Sequence, residues 1–226
     1  MNTLRFPVLV LMCLGVSCLE PTSPGRIASV EKTRSITAGI QPFGDFSPAL
    51  ADSIRRVVEA VFGFDAVVLK PVELPEAAFV NIKSPRYRAD KLLPFLKTVI
   101  PDSVDYILGL TAKDISTTKK DAYGKVKQPE SRYFDWGVCG LGYRPGPCAV
   151  VSTFRLKTAD KTRFMERFRK TCIHELGHNL GLPHCDRQAK CVMRDAAETV
   201  KTIDGVDLWL CEDCQKDLGI ENSPGR

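Results

Sequence analysis

The spacing of apolar residues changes repeatedly along this chain, and each change marks an element. From residue 47, Leu50, Ile54, Val57, Val58, Val61 and Phe62 recur at three- and four-residue steps, so they share one face of a helix. Ser47 is placed to cap it, Pro48 suits its first turn, and Gly63 marks its end. The run AVVLKPV at 66–72 reads as a strand. Residues 89–100 return to the helical period, and Pro94 predicts a break or kink there because it lacks an N–H to donate. The β-rich runs VDYILGL at 104–110 and AVVSTF at 149–154 predict further strands, with YFDWGV at 133–138 between them. Residues 162–180 carry a long helical pattern. Strands alternating with helices predict an α/β (α+β) domain: a mixed twisted sheet backed by helices, the long one among them.

The N-terminal residues obey another logic. After Arg5, the apolar run FPVLVLMCL at 6–14 is too short for a permanent membrane span and predicts a secretory signal over residues 1–17. Gly15, Val16, Ser17 and Cys18 together resemble a bacterial lipobox, although that box usually carries leucine where Gly15 stands. Cys18 is therefore the lipidation candidate, and an ordinary cleaved signal is the alternative. Residues 18–40, rich in Pro, Ser, Thr and Gly without a sustained period, read as a flexible tether. Residues 41–226 then form one compact catalytic domain, since 226 residues with 44% hydrophobic content support one sizeable core. The expectation is an exported monomer, either a bacterial cell-envelope lipoprotein or a periplasmic or secreted protein. Its membrane contact would be limited to an N-terminal lipid anchor.

Charge narrows the partners. With 32 basic and 27 acidic side chains spread along the chain, the excess is modest, and nucleic-acid binding is not indicated. Lys119, Lys120, Lys125 and Lys127 lie with Gly124 and Pro129 in a segment that reads as a solvated loop.

The chemistry gathers in HELGHNLGLPH at 174–184, which contains all three histidines of the chain. On a helix turning about 100° per residue, His174 and His178 lie one turn apart on one face, so both imidazoles can meet one ion. Glu175 sits about 100° round from His174, where it can touch a water on that ion and serve as general base. A continued helix would carry His184 about 600° past His178 and roughly 9 Å further along. The chain must turn instead: Gly181 tolerates positive φ at a helix end, and Pro183 blocks continuation. The turn returns His184 as a third ligand, leaving one tetrahedral position of a catalytic zinc for water.

Beyond His184 the chain carries Cys185, Cys191 and Met193, and later Cys211 and Cys214. This pattern resembles the archaemetzincins, a branch of the metzincin zinc peptidases, whose signature runs from the HExxH helix through a glycine and third histidine to two cysteines, a methionine and CxxC. LGLT at 108–111 with Asp114, and the segment 149–156, are similar to the strands preceding the active-site helix in that family. One spacing departs: five residues separate Cys185 from Cys191, where the family pattern has four. The resemblance implies a zincin-like fold and a second, structural zinc on Cys185, Cys191, Cys211 and Cys214, making two ions per chain. Four thiolates would close the shell against reacting water. Disulfides from Cys185 to Cys191 and from Cys211 to Cys214 are the alternative in an exported protein. The resemblance also places Met193 in a turn beneath the histidines.

The expected activity is a zinc metallopeptidase acting on peptide or protein substrates, with Glu175 passing a proton from water to the leaving amine. Endopeptidase and aminopeptidase action both remain open. A catalytically silent zinc-binding scaffold of the cell envelope is the reading from another class. Tyr133, Tyr143 and Arg155 are candidates for oxyanion contact, and residues 149–154 or their neighbour for an edge strand that pairs with substrate. Cys139 and Cys148 can pair or remain thiols, and Cys172 reads as a packing residue.

Overall fold

Parallel strands whose residues point alternately to two apolar faces organise the computed structural model, which describes residues 35–195 and 200–220. In chain order the elements are β1 (Thr37–Pro42), α1 (Pro48–Phe62), β2 (Asp65–Val68), β3 (Phe79–Asn81), β4 (Pro85–Arg88), α2 (Ala89–Val99), β5 (Tyr106–Thr111), β6 (Ile115–Thr117) and α3 (Glu130–Tyr133). They continue with β7 (Trp136–Val138), β8 (Gly140–Gly142), β9 (Cys148–Ser152), α4 (Lys161–Asn179), α5 (Val200–Gly205) and α6 (Glu212–Asp217).

The larger sheet has the order β2-β1-β5-β9-β8, with β8 its one antiparallel strand, lying at an edge. Its central strands are buried on both faces, as parallel strands generally are. Ala38, Ile40, Leu108, Leu110, Ala149 and Val151 face α1 and α4. Ile107, Cys148 and Val150 face α2, where Leu92 and Leu96 meet them. The layers are therefore helices, sheet, helix. A smaller sheet, β3-β4-β6-β7, is joined to the larger one by the short chain segment between β7 and β8.

Most sequence expectations hold, with shifted boundaries. The Ser47 hydroxyl accepts from the Leu50 amide at 3.4 Å, and Gly63 closes α1 with φ +68°. Helix α2 runs unbroken across Pro94, because burial of Leu92, Leu93 and Leu96 against the sheet offsets one missing backbone bond. The strand expected at 66–72 leaves the ladder after Val68. The segment 133–138 divides, α3 ending at Tyr133 and β7 starting at Trp136.

One domain boundary needs correcting. Residues 37–40, expected to close the tether, form most of β1, hydrogen-bonded between β2 and β5, with Ala38 and Ile40 fully buried. The alternation of small and apolar residues there is too short to stand out from the Ser- and Thr-containing sequence before it. The expected signal over 1–17, the Cys18 lipidation site and the tether up to residue 34 lie outside the described residues.

Helix α4 is fixed at both ends. The Asp160 carboxylate caps it by accepting from the Arg163 amide at 3.1 Å. Phe168, Cys172, Ile173 and Leu176 bury its inner face, which accounts for Cys172 as a packing residue. Two 2.6 Å bonds from Arg167 to Asp204 tie it to α5.

Candidate metal centres

Within α4, His174 and His178 project one turn apart, their ring centroids separated by 4.6 Å. The helix then reverses. Gly181 takes φ +100°, its N–H donating to the His178 carbonyl at 2.8 Å, while the Leu182 N–H donates to Gly177 at 3.0 Å. This returns His184, with its ring 5.3 Å from His174 and 4.9 Å from His178. Three imidazoles on one tetrahedral zinc, with Zn–N near 2.0–2.1 Å, stand with ring centres about 5 Å apart. The observed triangle fits that geometry.

The rings are aimed as well as close. His174 Nδ1 lies 2.9 Å from the Val192 carbonyl and His178 Nδ1 2.8 Å from that of Leu182, so both Nδ1–H groups donate to backbone and both Nε2 atoms are free to ligate. Burial lowers the His174 pKa to about 4 and lowers that of His178 as well, so both rings are neutral at pH 7, the form a ligand needs. His184 Nδ1 sits 3.7 Å from the Asp195 carboxylate.

Glu175 is held against the edge strand. A Cβ at Gly140 would lie 2.5 Å from its Oε1, so only glycine lets β8 approach the carboxylate this closely. Burial lifts the Glu175 pKa to about 8, opposed by a hydrogen bond from the Gly142 backbone. Glu175 and the three histidines line a cleft of about 800 Å³. Met193 is fully buried, its Sδ pressed against the position a Cβ would take on Gly177, the residue before His178.

The second cluster is of another kind. Cys185, Cys191, Cys211 and Cys214 are all buried, with their sulfurs within 4.8 Å of one another. Cys185 to Cys211 and Cys191 to Cys214 each measure 3.7 Å. A tetrahedron with Zn–S near 2.3 Å has edges of about 3.8 Å. All four are free thiols, and the 3.7 Å contacts cross between the two halves of the motif, not along the pairing that disulfides within each half require. Burial raises the Cys185 thiol, but hydrogen bonds from the Gln188 and Arg187 backbones outweigh it, and its pKa falls to about 7. The extra residue between Cys185 and Cys191 is absorbed in a turn where the Cys191 N–H donates to the Gln188 carbonyl at 3.2 Å.

Other candidates are not brought to the centre. Tyr133 stacks on Trp136 with centroids 5.3 Å apart, Tyr143 packs against Gly146, and neither lines the cleft. Arg155 does line it, but Nε and Nη2 are committed to Asp114 at 2.7 and 2.8 Å. Cys139 and Cys148 are free thiols whose positions along the hairpin, opposite Ser152 and Tyr143, put them about 13 Å apart. Strand β9 lies between β5 and β8, so the free edge belongs to its neighbour β8.

Sequence reasoning overlooked three supports. Gly140 and Gly142 alternate along β8, and this GxG spacing in a strand was the available signal. Asn179, nearly fully buried, donates to the Tyr143 and Cys148 carbonyls at 3.1 and 2.9 Å and pins the hairpin to α4.

Residues 31–219 match Peptidase family M54. The archaemetzincin of Haloquadratum walsbyi is 30% identical over 186 residues, which cover 78% of this chain and 96% of that protein. That of Archaeoglobus fulgidus is 39% identical over 100 residues, 44% of this chain and 56% of its own length. Among solved structures, the archaemetzincin of Methanopyrus kandleri aligns with a TM-score of 0.67 at 28% identity, covering 84% of this chain and 97% of its own. The Archaeoglobus fulgidus protein, solved in complex with malonate, aligns with a TM-score of 0.62 at 26% identity over 80% of this chain and 99% of that one. With the family match spanning the strands, both clusters and the cleft, the chain belongs to Peptidase family M54, the archaemetzincins, and is a zinc metallopeptidase.

Proposed function

We propose that this chain hydrolyses peptide bonds at the three-histidine centre, with Glu175 as the general base and His174, His178 and His184 as the ligands of a catalytic zinc. The convergence of three imidazoles, two of them oriented by backbone carbonyls, carries the reading. When bound, a zinc ion there supplies a Lewis acid that acidifies water and polarises the substrate carbonyl. Glu175 accepts a proton at a carboxylate oxygen from the attacking water and delivers it to the leaving nitrogen. Its burial against β8 makes the carboxylate a stronger proton acceptor than an exposed glutamate, and Gly142 holds its direction.

The edge strand supplies the substrate's alignment. Cys139 and Tyr143 direct their backbone bonds inward to Ser152 and Cys148, so alternation turns the Gly140 and Gly142 backbone outward to the cleft. An extended peptide adds to β8 as a further antiparallel strand.

The cysteine cluster holds a second zinc with a structural role. Its buried, all-sulfur donor set supports this, as does its closure around the segment immediately after His184. The N-terminal apolar run supports export of the protein.

Elemental analysis and a peptide library test the reading together. Two zinc ions per chain are expected, and Glu175→Gln lowers cleavage by about 10³-fold with zinc content unchanged. One zinc per chain would favour disulfides at the cysteines. A wild-type protein whose library shows no cleavage dependent on metal and Glu175 would instead be a zinc-binding scaffold. Cleavage positions in the library separate aminopeptidase from endopeptidase action.

A further inference from the structure

Lys170 precedes His174 by four residues on α4, so it shares the histidines' face of the helix, about 6 Å along the axis. It lines the same cleft and is only 9% exposed. Among the described residues its one ion-pair contact is Glu166 at 4.0 Å, and that glutamate is 57% exposed.

Among the described residues, Glu166 is the one carboxylate within 4.0 Å of Lys170. Asp204 lies within its electrostatic reach but already accepts both bonds from Arg167. Asp114 neutralises Arg155, while Arg144 and Arg194 add further positive charge to the lining. Of the acids there, Glu175 is turned to Gly142 and Asp195 to His184. Ile203 and Val206 also line the cleft and reduce solvent screening. A lysine buried this far whose one close carboxylate is an exposed glutamate at 4.0 Å is costly, and an incoming anion reduces that cost.

We propose that Lys170 reads a carboxylate of the peptide substrate in a subsite one helical turn from the three-histidine centre, so the cleft selects peptides acidic beside the scissile bond. The carboxylate is an Asp or Glu side chain or a free C-terminus. This rests on the peptidase reading for its substrate, but the subsite itself is a binding property. A charge-assisted contact in a partly desolvated pocket is expected to give about ten-fold discrimination or more over the neutral isostere.

The test uses zinc-loaded protein and matched peptides with Glu or Gln at each position flanking the cleaved bond, each made as free acid and as C-terminal amide. Cleavage is followed by kcat/KM, and binding by calorimetry on Glu175→Gln protein. The wild type is expected to favour the carboxylate-bearing peptides about ten-fold in both readouts. Lys170→Met brings the ratio close to one, Lys170→Arg retains it, and Lys170→Glu shifts preference to peptides with Lys at that position. A Glu/Gln difference identifies the side chain as source, and an acid/amide difference identifies the terminus. Cleavage without discrimination, or discrimination surviving in Lys170→Met, overturns the subsite and leaves the peptidase intact. Lys170-dependent binding with no cleavage by the wild type does the reverse, and absence of all binding overturns both.

Discussion

The two donor clusters meet in sequence at His184 and Cys185, yet they differ in what surrounds them. The cysteine sulfurs are buried on every side, whereas the side chain of His184 is 42% exposed and the histidine triangle opens on the cleft. A closed shell holds chain segments together; an open one leaves room for a reacting molecule. The two are also coupled. The carbonyl that orients His174 belongs to Val192, directly after Cys191, and the Cys185 N–H donates to the Met193 carbonyl at 2.8 Å. The cysteine cluster therefore brackets the loop that supplies the His174 hydrogen bond.

Breaking the closed site gives the largest effect. On the two-zinc reading, a Cys191→Ser, Cys214→Ser double variant is expected to lose one zinc per chain and several kcal/mol of stability, because a metal held by four thiolates of the chain would add its binding energy to folding. Activity falls with it as the Val192 carbonyl loosens. His178→Ala, by contrast, abolishes cleavage at a smaller cost in thermal stability. Denaturation curves with metal analysis check the pair, and equal melting temperatures for the two variants would remove the distinction between staple and reaction centre.

The next effect acts on the open site alone. Gly140→Ala places a methyl 2.5 Å from Glu175 Oε1, and 2.7 and 2.8 Å from Cγ and Cδ, so the carboxylate must move. A displacement of this order costs about 10²-fold in kcat. The cysteine cluster receives no new contact, so zinc content stays at the wild-type level. An active Gly140→Ala enzyme with an unaltered pH profile would show that β8 does not position the base.

These two sites were not equally legible in the sequence. The histidine centre could be built from helical periodicity and one Gly-x-Pro turn, because its ligands are local and helical geometry is regular. The cysteine cluster joins Cys185 to Cys211, 26 positions later, and Cys191 to Cys214, 23 positions later, and spacing alone cannot choose between thiols and disulfides. Strand β1 was hidden because its continuous buried run over 38–42 mixes the apolar Ala38 and Ile40 with Gly39, Gln41 and Pro42, so no period marks it. The approach of β8 to Glu175 depends on tertiary packing, and no local rule pairs Gly140 with a residue of α4. Helix α2 shows the same override in reverse, with packing keeping Pro94 inside a continuous helix.

Met193 offers a smaller perturbation between the sites. It is fully buried, and its thioether lies against Gly177, the residue before His178 on α4. Met193→Leu conserves volume but branches earlier, and is expected to cost about 1 kcal/mol in stability and a few-fold in activity. Zinc affinity measured by chelator competition should fall at the histidine centre before it falls at the cysteines. The opposite order would place Met193 in service of the cysteine cluster.

The smallest effect concerns the tie that fastens α5 to α4. The hydrogen bond from Arg167 holds the Asp204 carboxyl below the usual aspartate range, outweighing its partial burial. Folded aspartate thus binds protons less readily than unfolded aspartate, so the pair's contribution is fully present above the unfolded pKa of about 3.9 and is lost as pH falls through the folded value. Since the Asp204 side chain is 31% exposed, the contribution at neutral pH is about 1 kcal/mol or less. The informative quantity is the stability difference between wild type and Asp204→Asn, because protonation of the cysteines and histidines common to both proteins cancels in it. That difference should be constant from pH 5 to 8 and shrink below about pH 4. If it persists in stronger acid, the ion pair is not its source, and the α5 wall of the cleft is held by apolar packing around Ile203 instead.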